Sequence, residues 1–362
     1  MNQGFLWRFA VEQFLSRRAA SITPYQAGEQ PQGSGIIKLN TNENPYPPSP
    51  EALKVLKSFG GERLRLYPKP DGGALKSAVA EVYGLNEDHV FCGNGSDEVL
   101  GLAFQAFFDG NIVFPNITYS FYPVWADLYG ISYKTVPLRD DFTVPVDELI
   151  GDGVVLANPN APTGMALSLA EVERILQRNS EHVVIVDEAY ASFGAGSVAS
   201  LIPKYTNLLV VSTMSKSHAL AGLRVAFALG QPHLIDGLVR IKDSFNSYPL
   251  DMIAQDAAAA ALRDTAYCAA MSAKVIATRE RTTQRLSELG FVVLPSKANF
   301  VFASHPQVSA ASLKAHLAEQ SIYVRHFDKP RIYDYLRITM GTDEQMDTLI
   351  EAIRGFVCSV SC

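Results

Sequence analysis

Short apolar strands alternate with helical segments, polar turns follow those strands directly, and the character of the chain changes near residue 249. Together these predict an α/β fold: a large domain with a mostly parallel sheet sandwiched by helices, then a smaller α+β domain. The 362 residues suffice for both, and 48% hydrophobic with 19% charged residues gives a substantial core and argues against disorder. The net charge of −6 offers no support for nucleic-acid binding. No apolar run reaches membrane-spanning length. Arg8 and Glu12 interrupt the apolar residues of 1–18, which read as an amphipathic helix and not as a signal peptide. Cys92, Cys268, Cys358 and Cys362 show no metal-ligand spacing, so no metal is expected. A Cys358–Cys362 disulfide is possible but not implied, and reduced thiols in a cytoplasmic protein are the default.

Taken in order, 36–39 is a short strand leading into NTNENPYPPSP, whose prolines exclude regular structure. Helical patterns cover 51–58 and 73–83, the latter ending at Gly84. A strand at 90–92 runs through Gly93-Asn94-Gly95-Ser96-Asp97-Glu98 into an apolar helix over 99–108. Small residues at a strand-to-helix junction let free amides converge on an anion, although Ser96 or Asp97 could equally be a simple N-cap. Strands follow at 112–114, 154–156, 183–186, 208–211 and 225–229, with a helix over 169–177 among them. From 249 a long Ala-rich helix is expected over 252–289. Short strands at 291–293, 300–302, 322–324 and 336–338 flank a helix over 311–320.

The stretch 208–224, LLVVSTMSKSHALAGLR, is the most informative. A lysine set among hydroxyls where a buried strand ends is an unusual address for a solvated charge. Lysine amines form Schiff bases with carbonyl compounds once desolvation makes them nucleophilic. Hydroxyls plus an arginine suit a bound phosphate. The combination points to an aldehyde carrying a phosphate. In a parallel sheet, polar groups just past the carboxyl ends of strands converge on one crevice, which gathers Ser96, Tyr119, Asn160, Asp187, Tyr190 and Lys216.

A pyridine-based electron sink needs a carboxylate at its ring nitrogen, for which Asp187 is the candidate. Asn160 and Tyr190 are candidate donors to the ring oxygen, and Tyr119 a stacking platform. Gly95, Ser96, Asp97, Thr213, Ser215 and Arg224 are candidates for the phosphate. Lys216 is the candidate Schiff-base lysine and proton-transfer base. Taken singly each has a structural alternative: Asp187 a turn cap, Tyr119 a core aromatic, Asn160 an Asx-turn, Tyr190 packing under the sheet. Jointly they fit one cofactor.

With ITPYQ at 22–26, LNTNENPYPPSP, GNGSDE at 93–98, NPNAPTG at 158–164, VDEAY at 186–190, TMSKSHALAGLR at 213–224 and LRITMGT at 336–342, the chain resembles the fold-type I pyridoxal-phosphate enzymes of the aminotransferase class I/II group. Within that group it is similar to the histidinol-phosphate aminotransferase family. The likeness runs in consistent order from about residue 20 to the end. It implies pyridoxal 5'-phosphate bound through Lys216, with Asp187, Asn160, Tyr190 and Arg224 in the roles above. It implies a homodimer with shared sites, in which Tyr67 of one subunit reaches the phosphate of the other. The change of character near residue 249 divides the chain into three parts: an N-terminal helix and arm (1–45) expected to pack with the small domain and the partner subunit, a large cofactor-binding domain (46–248) and a small C-terminal domain (249–362). Many relatives read NPNNPTG where this chain has Ala161; registering on the distance to Asp187 keeps Asn160 as the ring-oxygen donor.

Substrate choice rests on the small domain. A site accepting both histidinol phosphate and glutamate must bind a phosphate ester or a carboxylate, and the planar fork of Arg337 suits both. Arg325 and Tyr25 match family positions that help hold the phosphate. Glu43 lies in the family segment near the substrate without an assigned role. The implied reaction exchanges an amino group between histidinol phosphate and 2-oxoglutarate. Threonine-phosphate decarboxylation and aromatic amino-acid transamination are the alternatives on the same scaffold.

Overall fold

The computed structural model describes residues 14–25 and 28–361; the expected helix at 1–18 lies largely outside them, as does Cys362. The helices are α1 (Arg17–Ser21), α2 (Pro50–Ser58), α3 (Ala74–Tyr83), α4 (Ser96–Phe107), α5 (Tyr122–Tyr129), α6 (Leu169–Arg178), α7 (Pro232–Phe245), α8 (Met252–Arg263), α9 (Thr265–Glu288), α10 (Ala310–Glu319) and α11 (Asp343–Ser361). A seven-stranded sheet is built from β2 (Val90–Gly93), β3 (Ile112–Pro115), β4 (Tyr133–Val136), β5 (Val154–Ala157), β6 (Val184–Asp187), β7 (Leu208–Thr213) and β8 (Ala226–Gly230). Its order is β2-β8-β7-β6-β5-β3-β4, and only β8 runs against its neighbours.

The central strands read as unbroken apolar runs because both faces are covered. Alternate side chains serve opposite layers. Val154, Val184, Val186, Leu208 and Val210 join one core with residues of α3, α6 and α8. Val155, Ile185, Leu209 and Val211 join the other, aromatic core with α4, α5 and α7. Helix α6 starts on a capping box, Ser168 with Glu171, and buries Val172, Ile175 and Leu176. The edge strand β4 has no counterpart in the sequence reading, because three of its four residues are exposed and leave no apolar run.

A second sheet has the order β1-β11-β12-β10-β9, from β1 (Ile37–Leu39), β9 (Val292–Val293), β10 (Phe300–Ser304), β11 (Ile322–His326) and β12 (Tyr335–Thr339). Here β1 lies parallel to β11 while the remaining pairs are antiparallel. The single helix expected over 252–289 is two. Asp264 leaves the helical region at φ −82° and ψ 57°, and its side chain caps α9 by accepting from the Tyr267 amide. The break lets α8 pack on α2 and α3 while α9 packs against α11. Among the described residues, no helix is long and apolar enough to cross a membrane.

Candidate active site

At the carboxyl ends of the parallel strands lies a pocket lined on one side by Ser96, Asp97, Tyr119, Asp187, Tyr190, Thr213, Ser215, Lys216 and Arg224. Its opposite wall is Tyr25, residues 40–43, Arg325 and Arg337. The structure thus brings together most of the residues singled out from sequence.

One end is shaped for an anion. Gly95 is the N-cap of α4 at φ 82°, with no side-chain cap, so neither Ser96 nor Asp97 blocks the first-turn amides. A Cβ at Gly95 would stand 2.5 Å from the Arg224 guanidinium, so only glycine lets that cation close over the turn. Thr213 Oγ1 donates to Ser215 Oγ at 3.0 Å, placing two hydroxyls beside it. The Asp97 carboxylate faces away from an anion's role: it accepts from Tyr119 Oη at 2.9 Å and stands 3.7 Å from Arg224. Tyr119 packs edge-on against Tyr122 and tilted against Trp125, which fixes its ring at the pocket wall.

At the end of β6, Asp187 is buried, accepting from Tyr122 Oη at 3.0 Å and from the Ala189 amide at 3.2 Å. Burial pushes its pKa up to about 6 against those two donors. A buried carboxylate with neutral partners is suited to a protonated ring nitrogen, which would restore its ionised state. Lys216 Nζ donates to the Thr41 carbonyl at 3.1 Å. Burial, then the nearby Arg337, lowers its pKa to about 8, so the amine is neutral far more often than an ordinary lysine.

The far wall carries two cations. Arg325 and Arg337 are direct partners across β11 and β12. Arg337 donates to the Asn40 carbonyl at 2.9 Å, and its buried Nε has no partner. Burial lowers its pKa. Two facing guanidiniums, neither paired with a carboxylate among the described residues, are repulsive unless an anion sits between them. Tyr25 stacks on Phe121 at 4.6 Å beside this wall.

Two predicted residues are placed elsewhere. Asn160 is a correction: both of its amide hydrogens are spent, on the Ile117 carbonyl and on Thr163 Oγ1, each at 3.0 Å. The turn presents Ala161 to the pocket instead, and Asn160 is not among the lining residues. Tyr67 does not line this pocket; it is 82% exposed and stacked on Tyr248 at 4.8 Å.

Segment 40–44, placed near the substrate by the resemblance but given no residue roles, contributes more than that. Its carbonyls accept from Arg337 and Lys216, and Asn42 donates to Tyr190 Oη at 2.9 Å. Asn44 donates to the carbonyls of Lys216 and Ser217. Apart from that motif, the signal in the residues was the asparagine content, since asparagine tolerates the left-handed backbone that Asn42 adopts at φ 57°. Tyr122 was missed as well. Among the described residues no cluster of His, Cys, Asp and Glu is arranged to ligate a metal.

A site joining a desolvated lysine, a buried carboxylate and two anion-binding ends on this fold is that of an amino-group-transferring enzyme, and the chain belongs to the aminotransferase class I and II family, whose model matches residues 34–353. Among its relatives it is 54% identical to the histidinol-phosphate aminotransferase of Acetobacter pasteurianus over 97% of this chain and 100% of that one. To the histidinol-phosphate aminotransferase of Marinomonas sp. it is 53% identical over 95% and 99%. The fold matches that of the histidinol-phosphate aminotransferase from Sinorhizobium meliloti, solved in complex with pyridoxal-5'-phosphate, at a TM-score of 0.80 and 24% identity, covering 90% of this chain and 92% of that one.

Proposed function

We propose that this chain catalyses reversible amino transfer between L-histidinol phosphate and 2-oxoglutarate, giving imidazole-acetol phosphate and L-glutamate, with pyridoxal 5'-phosphate as cofactor. The observation that carries the reading is a desolvated Lys216 between two separate anion-binding ends. One end suits the cofactor's phosphate; the other suits an anionic substrate tail.

When bound, pyridoxal phosphate supplies a carbonyl carbon that exchanges amino groups and a ring that accepts electron density. Lys216 is the nucleophile for that carbonyl and the base for the substrate's α-proton. Asp187 would hold a proton on the ring nitrogen, and Tyr119 would give the ring a stacking platform. Tyr190 would donate to the ring oxygen, without help from Asn160. Gly95, Ser96 and the first-turn amide of Asp97, together with Thr213, Ser215 and Arg224, hold the phosphate. Arg325, Arg337 and Tyr25 hold the phosphate of histidinol phosphate or a carboxylate of glutamate, since a guanidinium fork accepts either.

We also propose a homodimer. Leu64, Leu66, Tyr67, Phe245 and Tyr248 are all exposed apolar side chains, with Tyr67 stacked on Tyr248, suited to cover by a second copy that would receive Tyr67 at its cofactor phosphate. A cytoplasmic location would keep Cys92, Cys268 and Cys358 as the free thiols they are here.

The substrate is tested by single half-reactions of the cofactor-loaded protein with glutamate, histidinol phosphate, threonine phosphate and phenylalanine. Rapid conversion by the first two is expected. Carbon dioxide released from threonine phosphate, or a preference for phenylalanine, would overturn the choice.

A further inference from the structure

Asn42 is buried, sits at φ 57°, and joins the small sheet to the pocket by a closed set of hydrogen bonds. Its backbone N–H donates to Thr339 Oγ1 at 3.1 Å, and Thr339 Oγ1 donates to Asn42 Oδ1 at 2.9 Å. Its carbonyl accepts from Asn299 Nδ2 at 3.0 Å. The threonine hydroxyl thus accepts the backbone proton and gives its own to the amide oxygen. That network assigns which end of the Asn42 amide faces Tyr190. The NH₂ end does, at 2.9 Å.

The consequence falls on Tyr190. A phenol has one proton, and an oxygen that accepts from Asn42 must send that proton elsewhere. The remaining open side of Tyr190 Oη is the pocket, where Ala161 offers no acceptor and Asn160 is turned away. We infer that Asn42 is a positioning residue that fixes Tyr190 as a hydrogen donor toward the ring oxygen of the bound cofactor. This rests on the proposed placement of that oxygen beside Tyr190. The charged and titratable groups acting on Tyr190 are Arg337, Asp187 and Tyr25, with Lys216 Nζ 6.0 Å from its ring centroid.

A donor to the ring oxygen draws negative charge from it and weakens its hold on the proton it shares with the lysine nitrogen. The pH midpoint of the bound cofactor's absorbance change therefore reports the donor directly, apart from any turnover. Tyr190→Phe is expected to raise that midpoint by about one pH unit. Asn42→Asp keeps the shape and tolerates the backbone, but its carboxylate would take the Tyr190 proton instead of donating to it. The midpoint should rise by a similar amount, and Asn42→Asp should add little in the Tyr190→Phe background. Equal shifts in both backgrounds, meaning a bare charge effect, or no shift at all, would overturn the inference.

Thr339→Val supplies a second arm, should Asn42→Asp fail to fold. It removes the hydroxyl that fixes the amide, so a smaller rise that vanishes in the Tyr190→Phe background is expected; an unmoved midpoint counts against the relay. If Tyr190→Phe alone leaves the midpoint in place, the assignment of Tyr190 to the ring oxygen fails first, and the relay with it. A shift in Tyr190→Phe combined with an independent effect of Asn42→Asp sinks the relay only.

Discussion

The two walls of the pocket are built in different ways. On the large-sheet wall, Asp187 ends strand β6, and Ser96 and Lys216 lie just past the ends of β2 and β7, so the sheet itself delivers them to one crevice. On the small-sheet wall, the groups come from irregular chain at 40–44 and from two facing arginines of β11 and β12, tied by hydrogen bonds spanning up to 297 residues. The first wall is suited to hold one invariant cofactor. The second can vary residue by residue without disturbing the sheet, and specificity is expected to reside there.

This division can be broken by substitution. The largest effect is expected for Lys216→Ala, with kcat reduced roughly 10⁴-fold or more and an unchanged circular-dichroism spectrum. Next is Asp187→Asn, with amino transfer reduced roughly 10³-fold in pre-steady-state assays because the ring nitrogen loses its counter-charge.

The same variant should raise the melting temperature of the cofactor-free protein, by about 2 °C. Its folded-state pKa of about 6 lies above the ordinary 3.8, so ionising Asp187 costs the folded state stability. That cost is full above about pH 6 and fades as the pH falls toward the unfolded value. The gain from Asp187→Asn should therefore be present at pH 8 and shrink below pH 6 in thermal scans. A variant less stable than the parent at pH 8 would contradict the burial argument.

Arg337→Lys keeps the charge but loses the fork. A fall of roughly 100-fold in kcat/KM for histidinol phosphate is expected, with cofactor affinity within about twofold of the parent. Equal losses in both would erase the distinction between the walls. The smallest effect is assigned to Tyr67→Phe, about tenfold in cofactor affinity by fluorescence titration. Because Tyr67 stands outside its own pocket, hybrid dimers pairing this variant with Lys216→Ala subunits should show the loss only at the site of the opposite subunit.

The same contrast explains what was legible in the sequence. A polar residue at or just past the end of a β-branched run stands out in a linear reading, as do Asp187 ending β6 and Lys216 in the turn after β7. The two-layer alternation of the central strands follows from the same runs. Asn160 was misplaced because adjacent turn residues point in opposite directions, and spacing to Asp187 does not resolve a single position. Residues 40–44 gave no periodicity, and their partners are distant in sequence. The Asp264 break was carried by a capping signal, Asp before Thr, that an uninterrupted alanine-rich pattern outweighed.

The central claim is a covalent bond between the cofactor and one amine. Borohydride reduction of the cofactor-loaded protein, followed by peptide mass mapping, tests it most directly. A single pyridoxyl adduct on the peptide carrying Lys216, absent from Lys216→Ala, is the expected result. An adduct on any other lysine, or no adduct, would contradict it.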